Sequence, residues 1–88
     1  MSRALRIVTP LPLITAMRAF GATETMIQHR VCTERLVRQV HKSGRRVNVW
    51  TVDRPDQMRR FIAMDVDGII SNRPDLVHEA LAAEGRTD

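Results

Sequence analysis

Residues 47–58 and 66–77 are one pattern written twice, 19 positions apart. Val47-Asn48-Val49-Trp50-Thr51-Val52-Asp53-Arg54-Pro55-Asp56-Gln57-Met58 aligns without a gap on Val66-Asp67-Gly68-Ile69-Ile70-Ser71-Asn72-Arg73-Pro74-Asp75-Leu76-Val77. Each copy passes from an apolar run through Asp/Asn-Arg-Pro-Asp into a helical pattern. A strand therefore feeds a helix twice in succession. Consecutive βα units build parallel sheets, and functional groups in such sheets gather where the strands end.

The rest of the chain extends this order. Thr25–His29 is a candidate strand. Thr33–Ser43 reads as a helix, because Thr33 can cap its first turn and Leu36, Val37 and Val40 share a face with His41 beside them. Gly44 can close that helix in the left-handed conformation. The next strand is Val47–Val52. Asp53 and Asn72 each stand where a helix cap is expected, with Pro55 and Pro74 in the first turns that follow. Met58, Phe61 and Ile62 form one apolar stripe, and Leu76, Val77, Ala80 and Leu81 another. Asp65 falls in the connecting turn, Val66–Ser71 is the third strand, and Gly85 stops the last helix. Glu34 with Arg38, and Asp56 with Arg60, have the spacing of surface ion pairs. The expected organisation is a poorly defined segment at 1–24, βα units over 25–85, and a tail at 86–88. Leu5–Thr9 fits either a strand or the end of a helix, and Leu13–Phe20 reads as a short helix closed by Gly21.

Eighty-eight residues, 43% hydrophobic and 27% charged, describe a small globular unit. The net charge is +4, and 13 of the 14 basic residues are arginine. Such a balance suits anionic partners, although most of these arginines fall on helix faces that need solvating. Three aromatic residues, Trp50, Phe20 and Phe61, are too few for a nucleic-acid stacking platform, so no nucleic-acid partner is expected. The apolar run Ile7–Met17 holds Pro10 and Pro12 and is too short to span a bilayer. It lacks the cleavage site of a signal peptide, so a cytoplasmic location is expected. Cys32 is the single cysteine and reads as a small core residue.

Candidate site residues follow from the strand ends. An arginine follows each strand: Arg30, Arg54 and Arg73. Three guanidinium groups near helix starts could form a rim for phosphate. Trp50 shares a strand face with Asn48 and Val52, and Val47, Val49 and Thr51 take the other. If the β-branched face meets the helices, Trp50 points away from them as a pocket wall. His29, Cys32 and His41 match no zinc spacing. Asp53, Asp67 and Asp75 have no visible partner for acid–base work, so no catalytic residue and no metal ligand is assigned.

Three segments together resemble a known family: His41-Lys42-Ser43-Gly44, Val47-Asn48-Val49-Trp50-Thr51-Val52, and Val66-Asp67-Gly68-Ile69-Ile70-Ser71-Asn72-Arg73-Pro74. With Thr33-Glu34-Arg35-Leu36-Val37 upstream, they look like the C-terminal end of the glycerophosphodiester phosphodiesterase family. The resemblance covers about the last two thirds of the chain. It implies a TIM barrel of which these units would be the sixth to eighth strands, so the fold class expected is a βαβαβα portion of an incomplete (β/α)8 barrel. It also implies hydrolysis of glycerophosphodiesters to an alcohol and glycerol 3-phosphate, with a pair of catalytic histidines and a divalent metal, calcium or magnesium, on acidic residues. Trp50 would line the substrate pocket. The family usually carries Asp at the position of Asn72 and Gly at that of Asp65. Its His-Arg-Gly segment, Glu-Asn pair, acidic metal ligands and second catalytic histidine have no counterpart here, so His29, His41 and His78 receive no catalytic role.

The combined expectation is a part-barrel that holds pocket wall without catalytic machinery and is inactive alone. The alternative is a non-catalytic assembly or anion-binding module, pairing with itself or with another part-barrel. In either case the sheet should have two open edges, and its barrel-lining face should be open to water.

Overall fold

The fold is taken from a computed structural model, which describes residues 5–8 and 23–85. The helix expected at Leu13–Phe20, with Gly21, lies outside the described residues, as does the tail at 86–88. The first helix among the described residues, α1, runs Glu34–Lys42. Thr33 caps it as expected, its Oγ1 accepting from the Leu36 amide at 3.2 Å. Glu34 takes the Arg38 guanidinium one turn on, at 2.8 Å. Gly44 follows at φ +81°, where a β-carbon would be strained.

Strands β1 (Arg6–Val8), β2 (Glu24–Gln28), β3 (Arg46–Trp50) and β4 (Gly68–Ile70) form one parallel sheet in the order β1-β4-β3-β2. Helices α2 (Pro55–Ala63) and α3 (Pro74–Ala83) complete the units. Of Leu5–Thr9, open to two readings in the sequence, Arg6–Val8 is a short strand beside β4. A 3-10 turn at His29–Val31 follows β2 and replaces the last residue of the expected first strand. Asp65 joins α2 to β4 at φ +63°, a conformation an aspartate tolerates better than most residues.

The sheet face carrying Ile27, Val47, Val49 and Ile69 packs against Val37 of α1, Met58, Phe61 and Ile62 of α2, and Val77, Ala80 and Leu81 of α3. Both helical stripes therefore bury as their periodicity predicts. Each large side chain sequestered there contributes about 1.5–3 kcal/mol.

The repeat and the sheet disagree by one residue, which moves the end of the second strand. Asn48 lies beside Gly68 and Val49 beside Ile69, a register of 20 rather than 19. The link from β3 to α2 holds residues 51–54, and that from β4 to α3 only 71–73. The gapless alignment is therefore right for Arg-Pro-Asp and the helices, and one position out in the strands. The strand stops at Trp50, before a cis Trp50–Thr51 peptide bond. Val52, expected on the Trp50 face, joins the helix-side core instead.

The opposite face is not open to water as expected. Asn48 and Ile70 have no exposed surface. The Asn48 amide donates to Glu24 Oε1 at 3.2 Å and accepts from Arg6 Nη2 at 3.3 Å. Arg6 also forms an ion pair with Glu24, whose side chain is 6% exposed. Arg6 and Glu24 stand on the two edge strands, about 14 Å apart were the sheet flat. Their contact requires a curled sheet with this polar layer on its inner side. Gly68 makes room for the layer: a β-carbon there would sit 2.2 Å from Asn48 Oδ1.

Candidate functional site

The carboxyl ends of the strands bring Trp50 into line with Gln28, its partner in the β2–β3 register. Trp50 is half-buried, on the face away from the helices. The loops that follow lock to each other. Asp53 Oδ1 accepts from the Asn72 amide at 2.8 Å and from Ser71 Oγ at 3.2 Å, and Asp53 Oδ2 accepts from Asn72 Nδ2 at 3.0 Å. Ser71 Oγ in turn accepts from the Arg73 amide at 2.9 Å.

This latch corrects two expected helix caps. Asp53 does not cap α2 and Asn72 does not cap α3; the residues at those positions are Arg54 and Arg73, neither with a side-chain cap. The two proline-led helix starts already lack one donor each. The Asp53 and Asn72 side chains are thereby left to tie the ends of β3 and β4 together. Sequence reasoning missed the latch, although the repeat held its signal: equivalent residues on neighbouring strands stand side by side.

The latch leaves an electrostatic trace. Burial opposes the charge on Asp53, but hydrogen bonds from Asn72 and Ser71 and the nearby Arg73 outweigh it and hold the carboxyl below its ordinary value. A carboxylate with a depressed native pKa stabilises the fold fully above the unfolded value of about 3.9, and that contribution disappears as pH falls through the native value. The melting-temperature gap between wild type and Asp53→Asn should accordingly be widest near neutrality and shrink below about pH 4. A gap independent of pH in thermal melts would refute this.

Each rim arginine has a definite place. Arg54 donates to Asp56 at 3.2 Å, and Arg73 grips Asp75 with two bonds of 3.1 and 2.9 Å, all largely exposed. Asp56 therefore pairs with Arg54, not with Arg60 as its helical spacing suggested. Arg30 lies exposed in the turn after β2 and makes no ion pair among the described residues. Asp53, Asp56 and Asp75 offset the three arginines in number, so the rim has far less anionic attraction than its arginines alone suggest.

The remaining titratable groups lie elsewhere. His41 Nε2 meets Asp67 Oδ2 at 2.8 Å, at the amino ends of the strands. The same Asp67 oxygen accepts from the Val47 amide at 2.8 Å. The Asp67 backbone also exchanges with Val47 and Arg6. This is a brace at the end of the sheet opposite Trp50. Cys32 is buried, and burial pushes its thiol pKa up, away from nucleophilic use. No cluster of three or more His, Cys, Asp or Glu among the described residues could hold a metal ion. Asp53, the rim carboxylate nearest the strand ends, already has both oxygens bonded. The described residues thus do not fit a divalent metal. A groove of about 260 Å³ between α2 and α3, lined by Pro55, Arg59, Leu76, Glu79, Ala80 and Ala83, is on the helix side and carries no nucleophile.

Residues 7–76 match the model of the glycerophosphoryl diester phosphodiesterase family. The chain belongs to that family. It is 50% identical over 58 residues to a probable glycerophosphodiester phosphodiesterase 2 of Mycobacterium tuberculosis, covering 66% of this chain and 22% of that protein. It is 32% identical over 72 residues to glycerophosphodiester phosphodiesterase GDPD4 of Arabidopsis thaliana, covering 82% of this chain and 22% of that one. Among solved structures, a protein of Silicibacter pomeroyi assigned as a glycerophosphoryl diester phosphodiesterase superposes with TM-score 0.73 at 26% identity, over 94% of this chain and 31% of its own. A glycerophosphodiester phosphodiesterase of Parabacteroides distasonis gives 0.67 at 25%, over 96% and 36%. The unclosed parallel sheet is accordingly a portion of the family's TIM barrel. The chain spans 22% of the length of the curated relatives it matches. No helix among the described residues is long and apolar enough to cross a membrane.

The family motifs acquire physical reasons. His41 and Asp67, from two of the resembling segments, are bonded to each other. Asn48 and Gly68, from the second and third, are in contact across β3 and β4. These four residues hold the amino half of the sheet together. Trp50 is left at the carboxyl end, where barrel enzymes place chemistry.

Proposed function

We propose that this chain supplies part of the substrate wall of a glycerophosphodiester phosphodiesterase barrel and does not hydrolyse substrate by itself. The observation that carries the reading is the position of Trp50: at the carboxyl end of β3, half-buried, on the face turned from the helices. An indole there offers an apolar surface to a glycerol backbone or head group. Arg30 is the rim cation best suited to meet a phosphate, because Arg54 and Arg73 would first have to leave Asp56 and Asp75. Acting in the cytoplasm, the chain would need the remaining barrel strands, from a complementing partner, before a glycerophosphodiester could be enclosed.

The inactivity follows from what phosphodiester hydrolysis requires. A base must activate water, an acid must protonate the leaving oxygen, and a metal commonly polarises the phosphoryl group. His41 is engaged by Asp67 at the far end of the sheet. His78 is on α3, and His29 has no acidic partner among the described residues. Purified chain should therefore show no turnover of glycerophosphocholine above the buffer blank, with or without calcium or magnesium. Hydrolysis that EDTA abolishes would overturn the proposal.

The alternative, a non-catalytic module, is favoured by a separate observation: the outer side of β2 is unpaired among the described residues. The charge balance of the rim supports assembly over anion binding for such a module.

A further inference from the structure

We propose that the 88-residue chain forms a two-fold dimer by antiparallel pairing of β2 with β2 of a second copy, giving one continuous eight-stranded sheet. The proposal deepens the assembly reading and is independent of the phosphodiesterase reading.

The backbone fixes which groups are free. The Thr23 carbonyl accepts from the Arg46 amide at 2.8 Å. In a parallel ladder with Glu24 opposite Arg46, Thr25 and Ile27 then aim their amides and carbonyls at β3. Glu24, Met26 and Gln28 aim theirs outward, where β2 ends the sheet among the described residues.

Among the described residues this edge lacks the usual protection. It is five residues long and has no lysine, proline or bulge. Its one charged side chain, Glu24, is turned inward to Arg6 and Asn48. The opposite edge, β1, has three described residues, and shortness is itself a defence.

The strand is also complementary to itself. A two-fold axis through Met26 sets Met26 against Met26, and Glu24 against Gln28 of the second copy. These are the three outward residues, so each facing pair exchanges both of its hydrogen bonds. Glu24, held by Arg6 and Asn48, stands opposite the uncharged Gln28, so no like charges face each other along the edge. The axis stands perpendicular to the sheet, so both copies keep their helices on the same side. Closure of two copies into an eight-stranded ring, β2 beside β1, is the less favoured arrangement. It would pair β2 with a strand of three described residues, a shorter ladder than β2 makes with a second β2.

Sedimentation equilibrium of the whole chain should show twice the monomer mass in the micromolar range. Met26→Cys should yield an air-oxidised disulfide dimer, because facing residues of a bonded pair lie about 5.5 Å apart at Cα. Wild type, whose Cys32 is buried, should not. Met26→Pro removes one outward amide per copy and no bond to β3. It should weaken the dimer at least thirtyfold or so while leaving a cooperative melt. If that variant does not fold, Met26→Lys provides the same reading through charge repulsion. A monomer at all concentrations overturns the proposal. So does a dimer that resists both substitutions, or one that does not cross-link through residue 26, as ring closure would give.

Discussion

Gly68→Ala should lower the melting temperature of this chain by roughly 10–20 °C. The added β-carbon would lie 2.2 Å from Asn48 Oδ1, 3.2 Å from its Cγ and 3.4 Å from the Arg6 carbonyl oxygen. One of those atoms has to move. The flexible choice is the Asn48 side chain, but it is fully buried and bonded to both Arg6 and Glu24. Turning it away trades a steric clash for broken buried hydrogen bonds. Overpacking costs about 1–3 kcal/mol, and an unsatisfied buried polar group a similar amount. Because turning Asn48 away relieves part of the clash, the two costs overlap, and a net of about 2–4 kcal/mol corresponds to that thermal shift in a domain of this size. Asn48→Ala alone should be milder, because Arg6 and Glu24 still have each other. Combining the two substitutions should then cost less than the sum of the singles, since the first removes what the second strikes. Simple additivity, or an unchanged melt for Gly68→Ala, would mean that the close approach at Gly68 does not govern stability.

The same contact shows how far the fold was legible in the sequence. Local signals carried well. Thr33 caps its helix, Gly44 and Gly85 end theirs in the left-handed region, and the three helical stripes bury where their spacing places them. Such features depend on a few neighbouring residues, so a linear reading finds them. Register does not. The extra residue between Trp50 and Pro55 is invisible in a gapless repeat, yet it sets Trp50 beside Ile70's row rather than Ile69's. The caps failed for a related reason. Asp53 and Asn72 have the right chemistry to cap, but between them and Ser71, just past the adjacent strand, three bonds form instead. The inner polar layer, reaching from Arg6 to Glu24, joins residues far apart in the chain and had no local signature. At the candidate site, Trp50 was locatable from strand alternation alone. The rim charges were not, because whether Arg54 and Arg73 meet a ligand or Asp56 and Asp75 depends on the loop conformation.

Asp67→Ala should be as damaging as the glycine substitution, although Asp67 is far from the strand ends that carry Trp50. Its carboxylate oxygen serves two donors at once, the Val47 amide and the His41 ring, both at 2.8 Å. The side chain is 5% exposed and that of His41 17%, so water cannot fully replace what is lost. A buried amide without an acceptor costs about 1–3 kcal/mol, and the charge-assisted bond to the imidazole adds about 1.5–3 kcal/mol. The expected loss is about 2.5–6 kcal/mol, enough to unfold a marginal domain at room temperature. Asp67→Asn keeps one carbonyl oxygen, which can retain the Val47 amide, and should fall between wild type and alanine. His41→Ala breaks only the second bond and should cost the least of the three. That ordering separates a brace from a catalytic dyad: a brace ranks the variants by hydrogen bonds lost in a denaturant melt. If His41→Ala proved as destabilising as Asp67→Ala, the Val47 amide would not be the bond that matters, and the joining of α1, β3 and β4 through one carboxylate would have to be abandoned.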